Sequence, residues 1–443
     1  MKKLRSYISS ALGDSHFAEL IKGASSTLLL KMMGLVVGYF LAVYITNSYG
    51  AYVFGQYVTA ILVVDILAII SRLGVDTSLV RFISKYVYKG SIKSIEHLYN
   101  KSVTLVTLMA IFLTLLLLFF SAQVAQFMNL EKDLLVLVSY SFIPLVLFHM
   151  NVQSIRGLKK MISFSFFNNV ALSLITCVVL VSCSYFLNDD KLPLYAYVSS
   201  VFTMSLFSFV VWFRFKNKLP NDHQKPTSLL STKELLIISF PLLLGQSMML
   251  IMGKVDLFML ANMTTSEQVG FYNIALKLSM LSYIGLMAVN SIAAPKFSEI
   301  HASGDTDALK RMVQQSTKTI FWVSVPVLLI LVFFPELILS MFGPEFRVAA
   351  ASLVILSLGR MFSAISGSVG TFLQMVGKQK VFQNILILAA GINVILNIIL
   401  IPDYGIEGAA LASSISGILW NLLMIIYIKK NFGFYTIYIP WLR

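Results

Sequence analysis

The chain has 443 residues, of which 58% are hydrophobic and only 12% are charged, and its mean hydropathy is +0.83. Soluble domains carry about 25% charged residues, so this composition excludes an ordinary soluble domain. The chain contains repeated apolar stretches of about 20 residues, which is the length that an α-helix needs to cross a bilayer. We therefore predict an all-α polytopic membrane protein.

Twelve transmembrane helices are predicted along the chain. Their approximate bounds are 24–46, 52–73, 102–121, 134–155, 162–186, 194–213, 235–260, 269–292, 319–335, 348–372, 382–401 and 408–428. The segment between spans 6 and 7, from Lys216 to Ser231, is polar and contains Pro220 and Pro226. We expect this segment to link two six-helix halves, residues 1–220 and 221–443.

The Lys and Arg residues outside the spans predict how the chain is oriented. The loops on one side hold nearly all of them, whereas the opposite side holds only Lys132, Lys191 and Arg347. Because Lys and Arg accumulate in cytoplasmic loops, both termini are predicted to be cytoplasmic. The formal net charge of +14 follows from this asymmetry, so it does not indicate nucleic-acid binding.

The two halves share residues when the sequence is shifted by 215 positions. The matched pairs are Asn47 and Asn262, Gly55 and Gly270, Tyr57 and Tyr272, Ala60 and Ala275, Arg81 and Lys296, and Phe82 and Phe297. Six matches at one shift favour an internal repeat. Each half has an even number of predicted spans, so the two repeats are parallel, as in some alternating-access transporters.

Five cations interrupt the apolar spans. They are Lys31, Arg72, Lys254, Lys277 and Arg360. Each costs roughly 2.5–3.5 kcal/mol at a helix centre that faces lipid, so we expect them to face a wet cavity or a partner. The first four lie on spans 1, 2, 7 and 8, which the repeat matches in pairs. If these spans face one another, a central cavity collects their charges, and such a cluster suits phosphate or diphosphate.

Three Asp residues in or beside the spans are candidates for ion coupling or for pairing. Asp65 and Asp76 lie seven residues before and four residues after Arg72, on the same helix face. For Asp65 and Arg72 this spacing fits a cavity wall that holds Arg72 in place, and it equally fits a structural ion pair. Asp76 lies near the cytoplasmic end of the span, where an interfacial role is favoured. Asp256 lies two residues from Lys254 and points about 200° away from it, so the two cannot line the same wall.

Other residues carry weaker functional signals. Arg81 and Lys296 lie at matched cytoplasmic ends of spans 2 and 8, where they are candidates for a substrate entrance, although ordinary topology charges also explain them. The chain has no P-loop, HExxH or GxSxG motif, and its histidines lack metal-ligand spacing. We therefore predict no enzyme activity, no cofactor and no metal site.

Three segments resemble a known group of transporters. They are RLGVDTSLVRFISK at the end of span 2, VGFYNIALKLS at the start of span 8, and PDYGIEGAALASSIS at the start of span 12. With the twelve spans, they resemble the polysaccharide-transporter branch of the MOP (multidrug/oligosaccharidyl-lipid/polysaccharide) superfamily, and most of all the O-antigen flippases of the Wzx type.

The resemblance implies a specific function. Such a protein moves undecaprenyl-diphosphate-linked oligosaccharide from the cytoplasmic to the periplasmic leaflet of a bacterial inner membrane. It implies a cationic cavity lined by spans 1, 2, 7 and 8, alternating access by rocking of the halves, and a lateral gap that leaves the polyprenyl tail in lipid. A polysaccharide polymerase and a chain-length regulator are the candidate protein partners.

Three alternatives remain open at the level of sequence. A MATE-like cation-coupled antiporter of the same superfamily carries a carboxylate in its first span, whereas span 1 here has Lys31 and no acid. A membrane polymerase or ligase of lipid-linked glycans usually has a large periplasmic loop, and the longest outer loop here, residues 121–133, is short. A scaffold without transport leaves the buried cations unexplained.

Overall fold

The computed structural model describes residues 15–219 and 231–440, with side chains for 26–219, 231–243 and 252–440. Regular structure in these ranges is helical. The α-helices are α1 (Ser15–Arg72), α2 (Val75–Tyr88), α3 (Ile92–Phe119), α4 (Ser121–Phe127), α5 (Lys132–Ser139), α6 (Phe142–Gly157), α7 (Met161–Phe166), α8 (Leu172–Ser184), α9 (Leu192–Asn217), α10 (Thr232–Met263), α11 (Ser266–Ser279), α12 (Tyr283–Ser303), α13 (Thr306–Phe333), α14 (Pro335–Leu339), α15 (Ala350–Ser366), α16 (Val369–Met375) and α17 (Gln379–Phe432).

Eight helical segments of the described residues are long and apolar enough to cross a membrane, or nine if α5 and α6, bent by 41°, form one broken span. Three of them have 47, 38 and 54 residues, far more than the roughly 20 that one crossing needs. Two are interrupted by a glycine outside the helical region of backbone space, Gly50 in α1 and Gly405 in α17. The all-helical membrane architecture is confirmed, and twelve crossings stay a prediction.

Side chains that cap helices fix the starts of α10 and α13. Ser231 Oγ accepts a hydrogen bond from the Glu234 N–H at 3.2 Å, and the Glu234 carboxylate accepts one from the Ser231 N–H at 2.7 Å. This reciprocal pair satisfies N–H groups that have no partner inside the helix. At α13, the Asp305 carboxylate accepts from the Ala308 N–H at 2.8 Å. Both caps begin long helices.

The chain divides into two compact units. Unit 1 contains Met1–Leu41, Val64–Ser121 and Asp133–Leu244, and unit 2 contains Ala42–Val63, Ala122–Lys132 and Gly245–Arg443. These units differ from the halves expected from the linker. Unit 2 includes two segments of the first half, Ala42–Val63 and Ala122–Lys132, and unit 1 extends into the second half as far as Leu244. The two six-helix halves, residues 1–220 and 221–443, remain a prediction.

Each unit has its own packed interior. In unit 1, the fully buried Trp212 of α9 stacks on Tyr99 of α3 with ring centroids 4.9 Å apart, and the Tyr99 hydroxyl donates to Asn151 of α6 at 2.6 Å. In unit 2, Phe297 of α12 and Phe372 of α16 are both fully buried, with centroids 5.8 Å apart. Aromatic pairs of this kind add roughly 0.5–1.5 kcal/mol beyond the area they bury.

Candidate functional site

A buried ion pair joins α1 to α2 in unit 1. Arg72 is the last residue of α1, and its Nη1 lies 3.0 Å from Oδ2 of Asp76 in the first turn of α2. Arg72 Nε also donates to the Ala68 carbonyl at 2.9 Å, and Asp76 Oδ1 accepts from the Thr77 N–H at 2.8 Å. Arg72 is 9% exposed and Asp76 is 1% exposed. The predicted pairing of Arg72 with Asp76 is present, and it neutralises both charges.

The turn between α1 and α2 packs directly against α10. Gly74 in this turn has φ 71°, a conformation that other residues rarely adopt. A Cβ at Gly74 would lie 2.3 Å from the Ser239 carbonyl oxygen, so only glycine fits there. Nearby, the hydroxyls of Ser78 and Ser239 are hydrogen-bonded at 2.6 Å. The Arg72–Asp76 pair therefore lies beside a tight helix contact of unit 1.

The other predicted residues of unit 1 lie on α1 and α2. Lys31 and Asp65 are half-buried on α1, and Arg81 on α2 is exposed. Asp65 lies two helical turns before Arg72, as the spacing predicts. Of the two carboxylates predicted to hold Arg72, Asp76 is the one in the ion pair described above.

Asp256 of α10 lies in a polar cluster inside unit 2. Its Oδ2 accepts from the Tyr272 hydroxyl of α11 at 2.8 Å, and its Oδ1 accepts from the Asn397 amide of α17 at 2.8 Å. The Ser413 hydroxyl of α17 also donates to Oδ2. Asp256 is 4% exposed, and Tyr272 and Asn397 are fully buried. A carboxylate in the interior of unit 2 is therefore held by three neutral donors.

Lys254 and Lys277 of unit 2 are both half-buried. The Lys277 ammonium lies 5.7 Å from the centre of the Phe54 ring, a cation–π distance. Lys254 lies two residues before Asp256 on α10, and only Asp256 is fully buried against α11 and α17. That Lys254 and Asp256 line different walls stays a prediction.

Arg360 of α15 lines a cavity of about 190 Å³ within unit 2, here termed the Arg360 cavity. Its guanidinium donates to the Tyr283 hydroxyl at 2.9 Å and lies 4.7 Å from the centre of that ring. The polar and aromatic lining residues are Tyr283, Arg360, Ser363, Ser413, Ser414, Ser416, Trp420 and Asn421. Ser413 also bonds Asp256, so the cavity and the Asp256 cluster share a wall.

Lys296, the second predicted entrance residue, lies on α12. Its Nζ is 3.0 Å from the Glu299 carboxylate one turn later, and its side chain is 37% exposed. Exposed pairs of this kind are worth about 0–1 kcal/mol. The contact is an ordinary surface ion pair, and an entrance role for Arg81 and Lys296 stays a prediction.

Two repeat-matched asparagines of unit 2 make matched hydrogen bonds. The Asn47 amide donates to the Met341 carbonyl at 2.9 Å, and the Asn262 amide donates to the Phe127 carbonyl at 2.6 Å. The two donors are 215 residues apart and the two acceptors are 214 apart. The sequence matched the two asparagines, but nothing in it indicated their acceptors.

Further bonds connect the same region. The Asn129 amide lies 3.1 Å from the carbonyls of Ala261, Asn262 and Thr264, and so caps the C-terminal end of α10. The Glu345 carboxylate accepts from the Ala51 N–H at 2.8 Å, directly after the break at Gly50. We term Asn47, Ala51, Asn129, Asn262 and Glu345 the outer cluster, because the topology predicts that it faces away from the cytoplasm.

A close helix contact adjoins the outer cluster. A Cβ added at Gly55 of α1 would lie 1.7 Å from the Ser266 carbonyl oxygen, and one at Gly270 of α11 would lie 2.9 Å from the Ala51 carbonyl oxygen. These glycines are another repeat-matched pair. The absence of both side chains lets α1 and α11 pack backbone to backbone.

The structure distributes the predicted site residues between the units. Lys31, Asp65, Arg72, Asp76 and Arg81 belong to unit 1, whereas Lys254, Asp256, Lys277, Lys296 and Arg360 belong to unit 2. A single cavity that gathers cations from both groups stays a prediction.

Sequence reasoning missed the neutral side chains that hold Asp256 and line the Arg360 cavity. They are Tyr272, Asn397, Ser413, Trp420 and Asn421. One signal was available, since Asn393 and Asn397 lie one turn apart in the otherwise apolar α17.

Comparisons with known proteins agree on one superfamily. A family model described as polysaccharide biosynthesis protein matches residues 20–301, and a second, described as MatE, matches residues 241–399. The lipid II flippase MurJ in an inward closed conformation aligns with a TM-score of 0.71 and 18% identity, over 92% of this chain and 89% of that chain. At this identity the likeness shows the fold.

Relatives of known sequence include archaeal membrane proteins. An uncharacterized membrane protein of Methanocaldococcus jannaschii is 24% identical over 439 residues, 94% of this chain and 85% of that protein. A Haloferax volcanii protein described as a probable low-salt glycan biosynthesis flippase is 26% identical over 162 residues, 36% of this chain and 34% of that protein. The second alignment spans about a third of either chain.

Proposed function

The chain belongs to the family of polysaccharide biosynthesis proteins, as its sequence predicted, and we propose that it is a flippase for lipid-linked glycans. Its substrate in this proposal is undecaprenyl-diphosphate-linked oligosaccharide, the repeat unit of O-antigen or of another surface polysaccharide. The protein would move it from the cytoplasmic to the periplasmic leaflet of a bacterial inner membrane, with both of its own termini in the cytoplasm. The name of the Haloferax relative supports a flippase.

Positive charge on apolar helices is the observation that carries this proposal. Lys31, Lys254 and Lys277 lie within predominantly apolar helices, and a lipid-linked diphosphate is an anion that must cross the same apolar layer. Lys binds phosphate oxygens as a point charge, and Arg binds phosphate or carboxylate oxygens through paired hydrogen bonds. Arg72 differs, because Asp76 already neutralises it. In this proposal Arg72 takes part only when the pair opens.

Alternating access between two six-helix parallel repeats is the mechanism that we propose. The matched hydrogen bonds of Asn47 and Asn262 support this mechanism. Two repeats that meet around one axis are expected to be held closed by two equivalent sets of contacts. In an outward-open state these bonds and the Gly55 contact with α11 would break. The substrate would then leave from a cavity that previously opened to the cytoplasm.

Ion coupling is assigned in this proposal to Asp256, with Asp65 as a second candidate. Asp256 has neutral donors from two other helices, so a proton or a monovalent cation that binds there changes the charge inside unit 2. Asp76 is a weaker candidate because Arg72 compensates its charge.

Reconstituted protein tests the proposal. Purified protein in liposomes is given a fluorescent polyprenyl-diphosphate-linked oligosaccharide, and the fraction reaching the opposite leaflet is followed over time. We expect Lys277→Ala and Lys254→Ala to slow flipping at least about tenfold, and the exposed Lys430→Ala to leave it unchanged. If wild-type protein does not flip this lipid, the function is wrong. Normal rates for Lys277→Ala and Arg72→Ala together would refute the cationic cavity.

A MATE-like antiporter is the second candidate function, favoured by the MatE model that matches residues 241–399. It predicts that cells producing the protein expel cationic dyes and that Asp256→Asn abolishes this efflux. A flippase of anionic lipids predicts no such efflux.

A further inference from the structure

We propose that the Arg360 cavity binds one acidic sugar ring, a pyranose that carries a carboxylate, from the glycan that the protein transports. This inference rests on the proposed function and adds a second subsite to it. The diphosphate would be bound by the lysines of the apolar helices, and the cavity would select among the glycans attached to it.

The charge of Arg360 favours an anionic group in the cavity. A guanidinium has five N–H donors, and among the described residues Arg360 donates only to the neutral Tyr283 hydroxyl. Asp256 lies behind the shared Ser413 wall, and its oxygens already accept from Tyr272, Asn397 and Ser413. No carboxylate of the described ranges lies within ion-pair distance of Arg360. An arginine in apolar surroundings is stabilised by an anion that accepts its remaining donors.

Asn421 favours a hydroxyl-bearing ligand. It is 4% exposed and lines the cavity. Its amide N–H groups donate hydrogen bonds to Ser363 Oγ at 3.0 Å and to the Gly417 carbonyl at 2.8 Å. Its Oδ1 accepts no hydrogen bond from the residues that the structure describes, so it can accept one from a ligand in the cavity. A diphosphate at neutral pH has almost no donor to offer, whereas a sugar ring has several hydroxyls. Arg360 and Asn421 together therefore match an acidic sugar better than the diphosphate.

The size and aromatic lining of the cavity agree with a single ring. Its volume of about 190 Å³ is below the roughly 300–1,000 Å³ of pockets that enclose drug-sized ligands. Trp420 and Tyr283 line it, and because the Arg360 guanidinium lies over the Tyr283 ring, Trp420 is the aromatic side chain on which the apolar C–H face of a pyranose can pack. Hydroxyls of Ser363, Ser413 and Ser416 also line it and can exchange hydrogen bonds with sugar hydroxyls.

Direct binding tests this assignment without requiring transport. Full-length protein in detergent is titrated calorimetrically with glucuronate, glucose and inorganic pyrophosphate. We expect glucuronate to bind at least about tenfold more tightly than glucose, and Arg360→Gln to remove that difference. Pyrophosphate binding should survive Arg360→Gln and weaken in Lys277→Ala. The exposed Lys430→Gln is the matched control for the loss of one cation.

Several outcomes would overturn the proposal. They are glucuronate binding that Arg360→Gln leaves unchanged, equal affinities for glucose and glucuronate, and pyrophosphate binding that depends on Arg360. If Arg360→Gln fails to fold, Trp420→Leu must lower the affinity for glucuronate at least about fivefold and leave the affinity for pyrophosphate unchanged. A flipping assay distinguishes the sugar subsite from the flippase function. The Arg360→Gln variant should flip a lipid-linked neutral glycan at the normal rate and an acidic one slowly. Failure of wild-type flipping would refute the function, while the binding data would still decide the cavity.

Discussion

Two buried carboxylates, one in each unit, are stabilised in opposite ways. Asp76 of unit 1 pairs with Arg72 at 3.0 Å, so charge balances charge. Asp256 of unit 2 is just as buried, yet its donors are the neutral Tyr272, Asn397 and Ser413. Unit 1 therefore encloses a neutral pair, whereas among the described residues the hydrogen-bond donors of the carboxylate in unit 2 are all neutral. The difference teaches that the burial of a carboxylate does not by itself determine how its charge is stabilised.

The largest expected effect comes from breaking the ion pair. Arg72→Ala leaves Asp76 buried without its partner, which costs about 3–5 kcal/mol in free energy of unfolding. Unfolding of the purified protein in detergent measures this loss. Lys85→Ala, an exposed cation on α2, should change stability by less than about 0.5 kcal/mol.

A double variant separates structure from transport at the same site. Replacing both Arg72 and Asp76 by Leu removes both charges, so most of the stability lost in Arg72→Ala should return. If flipping returns with it, the pair is structural. If the stable double variant does not flip, Arg72 contacts the substrate during the cycle.

A smaller effect is expected at the carboxylate of unit 2. Asp256→Asn keeps the shape and one acceptor oxygen, and leaves no charge unpaired, so we expect a loss of about 1–3 kcal/mol from the disturbed hydrogen bonds. The exposed Asp403→Asn on α17 is the control. A loss as large as that of Arg72→Ala would contradict the contrast, because it would show that a charge balances Asp256. Asp256→Asn should also remove any dependence of flipping on a proton or sodium gradient.

Gly55 provides a steric test of unit 2, where contacts rather than charges hold α1 against α11. A methyl group there would overlap the Ser266 carbonyl, since its carbon would lie 1.7 Å from that oxygen. We expect Gly55→Ala to cost about 1–3 kcal/mol. Gly38→Ala on the same helix meets no atom within 4 Å and should be neutral or slightly stabilising. Equal effects of the two changes would show that the contact is not close in the protein in solution.

The sequence predicted the features that depend on periodicity and charge, and not those that depend on neutral contacts. The apolar runs predicted the membrane helices, and the four-residue spacing placed Asp76 beside Arg72. The donors of Asp256 come from α11 and α17, more than a hundred residues away in the case of Asn397. Such partners require knowledge of helix packing, which one sequence does not contain. Asn47 and Asn262 were matched by the repeat, yet their carbonyl acceptors leave no mark in the sequence, because any residue can supply a carbonyl.

The smallest expected effect concerns the matched asparagines, which test whether neutral bonds also hold the outer cluster. Asn262→Ala removes the bond to the Phe127 carbonyl, and Asn47→Ala removes the bond to the Met341 carbonyl. Each should cost about 0.5–1.5 kcal/mol. Asn431→Ala is the control, since among the described residues that side chain donates only to the Tyr427 carbonyl of its own helix.

Transport kinetics give the same asparagines a second measurement. If both bonds break whenever the outer side opens, each single variant favours the outward state to a similar degree, and the two should change the flipping rate in the same direction. Similar changes in flipping rate would support two equivalent contacts that hold the outer side closed. A large shift for one variant and none for the other would show that the two repeat-matched bonds contribute unequally to the closed state, although their sequence positions match.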